Sequence, residues 1–193
     1  VGSVKGALAA RFADAEHTLA GALGMAGRTD EALVHYEAAL QLQPTNAQIF
    51  SETGTLLARS GRIEEADDLY RRLLAAFPNQ PALLNSAAVL LHKANRFDEA
   101  IVIWRRLVQA HPELPAPLVN IGLALRDSGD AAGAIEHFER ALALDPGVAE
   151  THFNLGLMRH LGGDYAAAIA CFETALRLRP DHARAAMRLA LAA

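Results

Sequence analysis

The sequence predicts an all-α protein, a solenoid of five helical hairpins followed by one further helix. The prediction depends on three series of residues that recur every 34 positions in the 193-residue chain. The prolines are Pro44, Pro78, Pro112, Pro146 and Pro180; the alanines are Ala32, Ala66, Ala100, Ala134 and Ala168; the aromatic residues are Tyr36, Tyr70, Trp104, Phe138 and Phe172. Such a period indicates one supersecondary unit that is copied and stacked, so function is expected on an extended surface.

Each repeat is predicted to be a helical hairpin, and the last complete repeat shows why. Thr151–Leu161 carries apolar side chains at helical spacing, and Gly162 ends that helix because glycine turns left-handed without a steric penalty. Asp164 is a suitable N-cap for a second helix, Tyr165–Leu178, whose apolar residues again form one stripe. Pro180 prevents that helix from continuing.

Two further series of small residues support the hairpin. At the predicted turns stand Gly27, Gly61, Asn95, Gly129 and Gly163. On the predicted first helices stand Ala20, Gly54, Ala88, Gly122 and Gly156. Small residues there let the two backbones of a hairpin approach closely, and the periodic aromatic residue fills the space beside them.

Together these features resemble the tetratricopeptide repeat. The Leu155-Gly156 pair, alanine at position 20 of the unit, an aromatic residue at 24 and proline at 32 match its pattern. Five units follow: 13–46, 47–80, 81–114, 115–148 and 149–182. The resemblance implies a right-handed α-α superhelix, with a concave face lined by first helices and a convex face formed largely by second helices.

The two ends match the pattern less well. Residues 1–12 belong to no unit, and they are expected to be either the tail of a helix or disordered. Residues 183–193 are expected to form a C-terminal helix that either caps the array or is the truncated start of another repeat.

Composition excludes several classes of function. A net charge of −4 and a pI near 6.1 disfavour nucleic acid as a partner. No apolar run is long enough to insert directly into a membrane. The single cysteine, Cys171, excludes an internal disulfide framework and is predicted to be a buried thiol. We expect a cytoplasmic location, or a periplasmic one if the chain is a processed fragment.

Catalytic motifs are absent from the sequence, which predicts neither an enzyme nor a cofactor. It contains no Gly-rich phosphate loop, nucleophile elbow or zinc-protease motif. Glu31 and His35 stand four residues apart on a predicted helix, but no third metal ligand accompanies them. We interpret them as an ordinary polar pair and predict no metal site.

The resemblance also indicates where a ligand would bind. In this family, positions 2, 5, 6, 9 and 12 of the first helix tend to face the concave groove. These positions are small and polar in the first two units and become apolar toward the C-terminus. The predicted binding residues are Asn85, Val89, His92, Val119, Asn120, Leu123, Arg126, Phe153, Asn154, Leu157, His160, Arg184 and Arg188.

An apolar strip within this set has two interpretations. Its residues are Val89, Val119, Leu123, Phe153, Leu157 and Met187. Exposed, they would form a contiguous patch of the kind that marks an interaction site. The alternative is that some of them pack against the adjacent first helix.

The polar residues of the set also have alternatives. Asn120 and Asn154 look like the asparagines with which O-linked N-acetylglucosamine transferases hold peptide backbone, or they reflect the common repeat consensus. Asn154, Arg184 and Arg188 match part of the dicarboxylate clamp of chaperone-binding members, but Val119 and Leu123 do not match its remaining positions. The two arginines would then bind another anion or remain solvated.

The sequence therefore predicts a noncatalytic scaffold that binds a protein or peptide ligand, with apolar anchors, in a concave groove. Two alternatives remain open. The chain could be the substrate-recruiting module of a larger enzyme of the glycosyltransferase or sulfotransferase type, or a scaffold that assembles into homo-oligomers through its exposed ends.

Overall fold

The computed structural model describes residues 2–44, 46–76 and 80–192, and over these residues all regular secondary structure is α-helical. This confirms the predicted all-α class. The helices of the described residues are α1 (Gly2–Met25), α2 (Thr29–Leu42), α3 (Ala47–Arg59), α4 (Ile63–Ala76), α5 (Pro81–Lys93), α6 (Phe97–Ala110), α7 (Pro115–Ser128), α8 (Ala131–Leu144), α9 (Ala149–Leu161), α10 (Tyr165–Leu178) and α11 (Ala183–Ala192).

The chain forms two compact units, residues 1–94 and 95–193. In the first unit α1 packs on α2, and α3 packs on α4 and α5. In the second unit α7 packs on α8, α9 packs on α10, and α10 contacts α11. The division falls between α5 and α6, inside the third predicted repeat, and the repeat boundaries themselves stay a prediction.

The turns between helices have the predicted backbone conformation. All five residues of the turn series have positive φ, from 59° to 94°: Gly27, Gly61, Asn95, Gly129 and Gly163. Glycine adopts this left-handed region without the clash that a Cβ creates, and asparagine tolerates it better than most residues. The predicted N-cap is also present, because the Asp164 carboxylate accepts a hydrogen bond of 3.1 Å from the Ala167 backbone N–H.

The periodic prolines follow the ends of the second helices. Pro44, Pro112, Pro146 and Pro180 each stand two residues after the last residue of a helix. Proline has no N–H to donate and clashes with the preceding turn, so none of these helices can continue through it. Pro78 lies outside the described residues.

Close helix contacts explain the alternation of small and aromatic residues. A Cβ added to Gly122 would lie 2.6 Å from Phe138 Cε1, and one added to Gly156 would lie 2.6 Å from Phe172 Cε1. These distances leave no room for any side chain, so the ring lies directly against the backbone of the partner helix. The periodic alanines are all fully buried: Ala32, Ala66, Ala100, Ala134 and Ala168.

The N-terminal segment differs from one of the two expectations. Residues 2–12 are helical and continue into the first helix of the first predicted repeat without interruption, as α1. The alternative of a disordered segment is therefore wrong for these residues. No proline or turn glycine separates them from the rest of α1, so helical hydrogen bonding can continue across the predicted repeat boundary.

Candidate functional site

The predicted binding residues are distributed over both units. Asn85, Val89 and His92 lie on α5 in the first unit, where Asn85 is exposed and the other two are half-buried. The second unit carries the rest, on α7, α9 and α11. These are Val119, Asn120, Leu123, Arg126, Phe153, Asn154, Leu157, His160, Arg184 and Arg188.

The apolar members on α7 and α9 are half-buried. Val119, Leu123 and Leu157 pack against the core of the second unit, around Phe138 and Met158. They therefore combine both interpretations given by the sequence: part of each side chain stabilises the unit, and part remains accessible. An accessible apolar fraction on neighbouring turns can contribute to binding a ligand.

A polar pair joins α7 to α9 beside these side chains. Arg126 Nη1 donates a hydrogen bond of 3.2 Å to Asn154 Oδ1, and Arg126 Nε donates one of 2.8 Å to Asp127 Oδ1. Asn154 is buried, with 3% of its surface exposed. Because its oxygen accepts from Arg126 and its side chain is buried, Asn154 contributes to this region chiefly by positioning the Arg126 guanidinium. We name Val119, Leu123, Leu157, Arg126 and Asn154 the α7–α9 surface.

Phe153 is a core residue. It therefore does not belong to the accessible part of the apolar strip. Only 2% of Phe153 is exposed. Its ring centroid lies 5.9 Å from that of Phe172 and 4.9 Å from that of His182, and the Arg184 guanidinium carbon stands 4.8 Å from its centre. Any role in binding would be indirect, through the position of α11. Met187, by contrast, is 65% exposed.

The remaining predicted residues stand at the ends of this region. His160 packs edge-on against Tyr165, with ring centroids 5.2 Å apart, across the turn between α9 and α10. Asn120 is half-buried and Arg188 is exposed. The binding role of all these residues stays a prediction.

A charged cluster that the sequence did not predict attaches α11 to α9. Glu150 Oε2 lies 2.9 Å from Arg179 Nη2 and 3.2 Å from Nε2 of the buried His182, while Glu150 Oε1 accepts a hydrogen bond from Arg184. His182 Nδ1 accepts from the Ala185 backbone N–H at 3.2 Å, and the buried Nε2, although near Glu150, makes no hydrogen bond of its own. Arg184, for which the sequence left open either an external anion or solvation, thus already has an internal carboxylate. Glu150 and Arg184 stand one repeat apart, which is the signal that could have revealed the pair.

We expect the Glu150 cluster to make stability depend on pH. Burial alone would raise the pKa of Glu150, but the Arg179 hydrogen bond and the charge of Arg184 outweigh it, and the pKa lies below its ordinary value. A carboxylate with a lowered pKa stabilises the folded state above its unfolded pKa of about 4.3, and this contribution disappears as the pH falls through the folded value.

Melting temperatures of the wild type and Glu150→Gln would test this expectation. The wild type should melt higher at pH 7, and the difference should begin to shrink at about pH 4.3 and vanish only below the lowered pKa of the folded state. A difference that stays constant down to pH 3 would mean that the carboxylate charge does not contribute.

The first unit carries a polar network where the sequence predicted small polar groups. Glu52 accepts hydrogen bonds from His17 Nε2 at 2.8 Å, Gln48 Nε2 at 3.0 Å and Tyr36 Oη at 3.2 Å. Burial raises the pKa of Tyr36 to about 12, and the neighbouring Glu52 charge adds to the effect. A pocket of 310 Å³ adjoins Tyr36 and Glu52. Its lining mixes glycines with larger apolar side chains and with the charged Glu52 and Arg59.

No group suited to hold a metal ion is present in the part of the chain that the structure describes. Glu31 accepts a 2.6 Å hydrogen bond from Arg28 Nε, and His35 Nδ1 lies 2.5 Å from Glu16 Oε2, so each has another partner. Cys171 is buried as predicted, and burial raises the pKa of its thiol. Among the described helices, none is long and apolar enough to cross a membrane.

Sequence comparison identifies two family models that match the chain, both described as tetratricopeptide repeats. One matches residues 113–181, and the other matches residues 25–88 and again 57–120. Among curated proteins, none matches the sequence.

Several solved structures have a similar fold. MamA residues 41-end from Desulfovibrio magneticus RS-1 is 21% identical, with a TM-score of 0.73, over 88% of this chain and 96% of that one. PilF from Pseudomonas aeruginosa is 22% identical, with a TM-score of 0.74, over 91% of this chain and 80% of that one. YrrB, described as a TPR protein with an unusual peptide-binding site, is 22% identical, with a TM-score of 0.68, over 90% and 89% of the two chains. At these identities the similarity establishes the fold alone.

Proposed function

The chain belongs to the tetratricopeptide-repeat family, and from that premise we propose that it is a noncatalytic scaffold that binds a peptide segment of a partner protein on the α7–α9 surface. The observation that carries the proposal is the combination on this surface of accessible apolar side chains with a polar pair. Leu123 and Leu157 occupy equivalent positions of successive repeats, and the Arg126–Asn154 pair lies beside them.

The chemistry of this surface favours a peptide with apolar anchors. Burying one leucine-sized side chain contributes about 1.5–3 kcal/mol. Two or three anchors would therefore support micromolar binding after the entropic cost of association. The Arg126 guanidinium is paired with Asp127, but 30% of its side chain is exposed, so it can still donate a hydrogen bond to a peptide carbonyl.

The test uses peptides selected from a phage-displayed random library on the intact protein, with affinities measured by calorimetry. Leu123→Glu with Leu157→Glu should weaken binding of the selected peptides by about a hundredfold or more, because two apolar contacts become charged. Affinity should change only modestly with added salt, since apolar burial is not screened by ions.

A matched control separates loss of binding from loss of stability. Leu142 on α8 and Leu176 on α10 also stand one repeat apart and are also half-buried against the second-unit core. Leu142→Glu with Leu176→Glu should perturb the core comparably yet leave affinity within a few-fold of the wild type. Equal loss of binding in two folded double variants would refute the assignment to the α7–α9 surface.

A further inference from the structure

A second groove lies in the first unit, between α2 and α4. It encloses 640 Å³, with α3 contributing Thr53 and Leu57 to its lining. Cavities of about 300–1,000 Å³ are typical of ligand sites. The residues that α2 and α4 contribute belong to the second helices of their repeats, so this groove, which we call the α2–α4 groove, is distinct from the first-helix positions predicted to bind.

Five apolar side chains line part of the α2–α4 groove. Leu57 is buried, Leu33, Leu40 and Leu69 are half-buried, and Val34 is 63% exposed. Leu33 and Leu40 also pack against the core of the first unit, which holds them in place. Val34 therefore adds accessible apolar surface at the edge of the groove, which an apolar side chain of a partner could contact.

The charged residues of the groove are predominantly acidic. They comprise five carboxylates and two arginines: Asp30, Glu37, Glu64, Glu65, Asp68, Arg62 and Arg72. Both arginines are already paired, Arg62 with Glu65 and Asp30, and Arg72 with Asp68.

Two carboxylates remain uncompensated. Glu37 on α2 and Glu64 on α4 have no ion-pair partner among the described residues, and both are exposed. The groove thus combines five apolar side chains with a net negative charge, and its complement is a cationic group that also carries apolar surface.

We propose that the α2–α4 groove binds a cationic amphipathic segment of a partner protein, whose apolar side chains contact Leu57 and Val34 and whose Lys or Arg side chains pair with Glu37 and Glu64. The acidic residues repel nucleic acid and anionic lipid. A net charge of −4 disfavours a second copy of this chain as the occupant. The groove is therefore a second interaction surface that can be engaged independently of the α7–α9 surface.

The probe is a fluorescein-labelled helical peptide of leucine and lysine, with leucines on one face and lysines on the other, followed by fluorescence anisotropy. We expect saturable binding to the intact protein, weakened severalfold when salt is raised, because exposed ion pairs are screened. The same peptide with glutamate in place of lysine should not bind. No binding of the lysine peptide, or equal binding of both peptides, would overturn the proposal.

Substitutions test whether the lysine peptide binds in the α2–α4 groove. Residues at the same repeat positions in the second unit serve as matched controls. Glu37→Lys with Glu64→Lys should weaken the lysine peptide about tenfold or more. The control is Asp98→Lys with Glu173→Lys, since Asp98 and Glu173 are exposed and occupy the same repeat positions in the second unit. Likewise Val34→Asp should weaken binding, whereas Val102→Asp, at an equivalent position with 57% exposure, should not. Equal effects of groove and control variants would place the peptide elsewhere and refute the proposal.

Sedimentation velocity of the protein alone tests whether a second copy of this chain occupies the α2–α4 groove. We expect a concentration-independent sedimentation coefficient. Self-association that Glu37→Lys with Glu64→Lys abolishes would assign the groove to a second copy of the chain and overturn the proposed partner. The charge reversals leave Leu123 and Leu157 unchanged, so failure here is distinguishable from failure of the α7–α9 surface.

Discussion

Phe172→Ala is expected to destabilise the second unit by about 3–5 kcal/mol, the usual cost of removing a fully buried aromatic side chain. The ring has no exposed surface and contacts the backbone of α9 at Gly156. Gly156→Ala should cost about 1–3 kcal/mol by the opposite mechanism, because the added Cβ would lie 2.6 Å from Phe172 Cε1 and 3.1 Å from Cys171 Cβ. Neither a ring packed on all sides nor a helix backbone can move away cheaply.

The two substitutions should compensate each other when combined. In Gly156→Ala with Phe172→Ala, the new methyl group occupies space that the ring has left, so the loss should be smaller than the sum of the single losses. Urea denaturation followed by circular dichroism measures all three variants. Gly6→Ala in α1 is the control, because nothing lies within 4 Å of its added Cβ and alanine favours a helix. Strict additivity, or a destabilising Gly6→Ala, would contradict this account of the periodic glycines.

The features that sequence predicted correctly are those that act locally. A left-handed residue at each turn requires glycine or asparagine, so Asn95 could be assigned to the same series as Gly129 and is found there with φ of 59°. A cap such as Asp164 acts within one turn of its own helix. The small and aromatic residues, such as Gly156 and Phe172, lie within one hairpin, where a short connection fixes which positions can meet.

The features that sequence did not predict depend on neighbours farther along the chain. The sequence left open whether Phe153 is exposed or packs against the adjacent first helix, and the contacts of its ring with His182 and Arg184, about one repeat later, decide for packing. Glu150 and Arg184, which are hydrogen-bonded, are also one repeat apart in the sequence. The α2–α4 groove depends on how far apart two helices lie, and a pattern of residue types does not specify that distance. Periodicity alone places the start of the first repeat at residue 13. The helix α1 continues through that position because no residue there ends a helix.

Removing residues 182–193 is expected to destabilise α9 and α10 more than any other helices. The truncation exposes Phe153, which is 2% exposed in the intact chain, and it removes His182 and Arg184 from Glu150. In a repeat array each unit is stabilised chiefly by its immediate neighbours, so the effect should decay with distance along the chain. Hydrogen exchange measured by mass spectrometry should show the greatest loss of protection in residues 149–178, with the helices of residues 1–94 little changed.

The control for this truncation is Leu191→Ala, which shortens an exposed side chain of α11 and should leave protection near that of the wild type. Uniform loss of protection across all helices would instead indicate that the whole chain unfolds as one cooperative body, and the docking of α11 through Phe153 would then be a global determinant of stability rather than a local one.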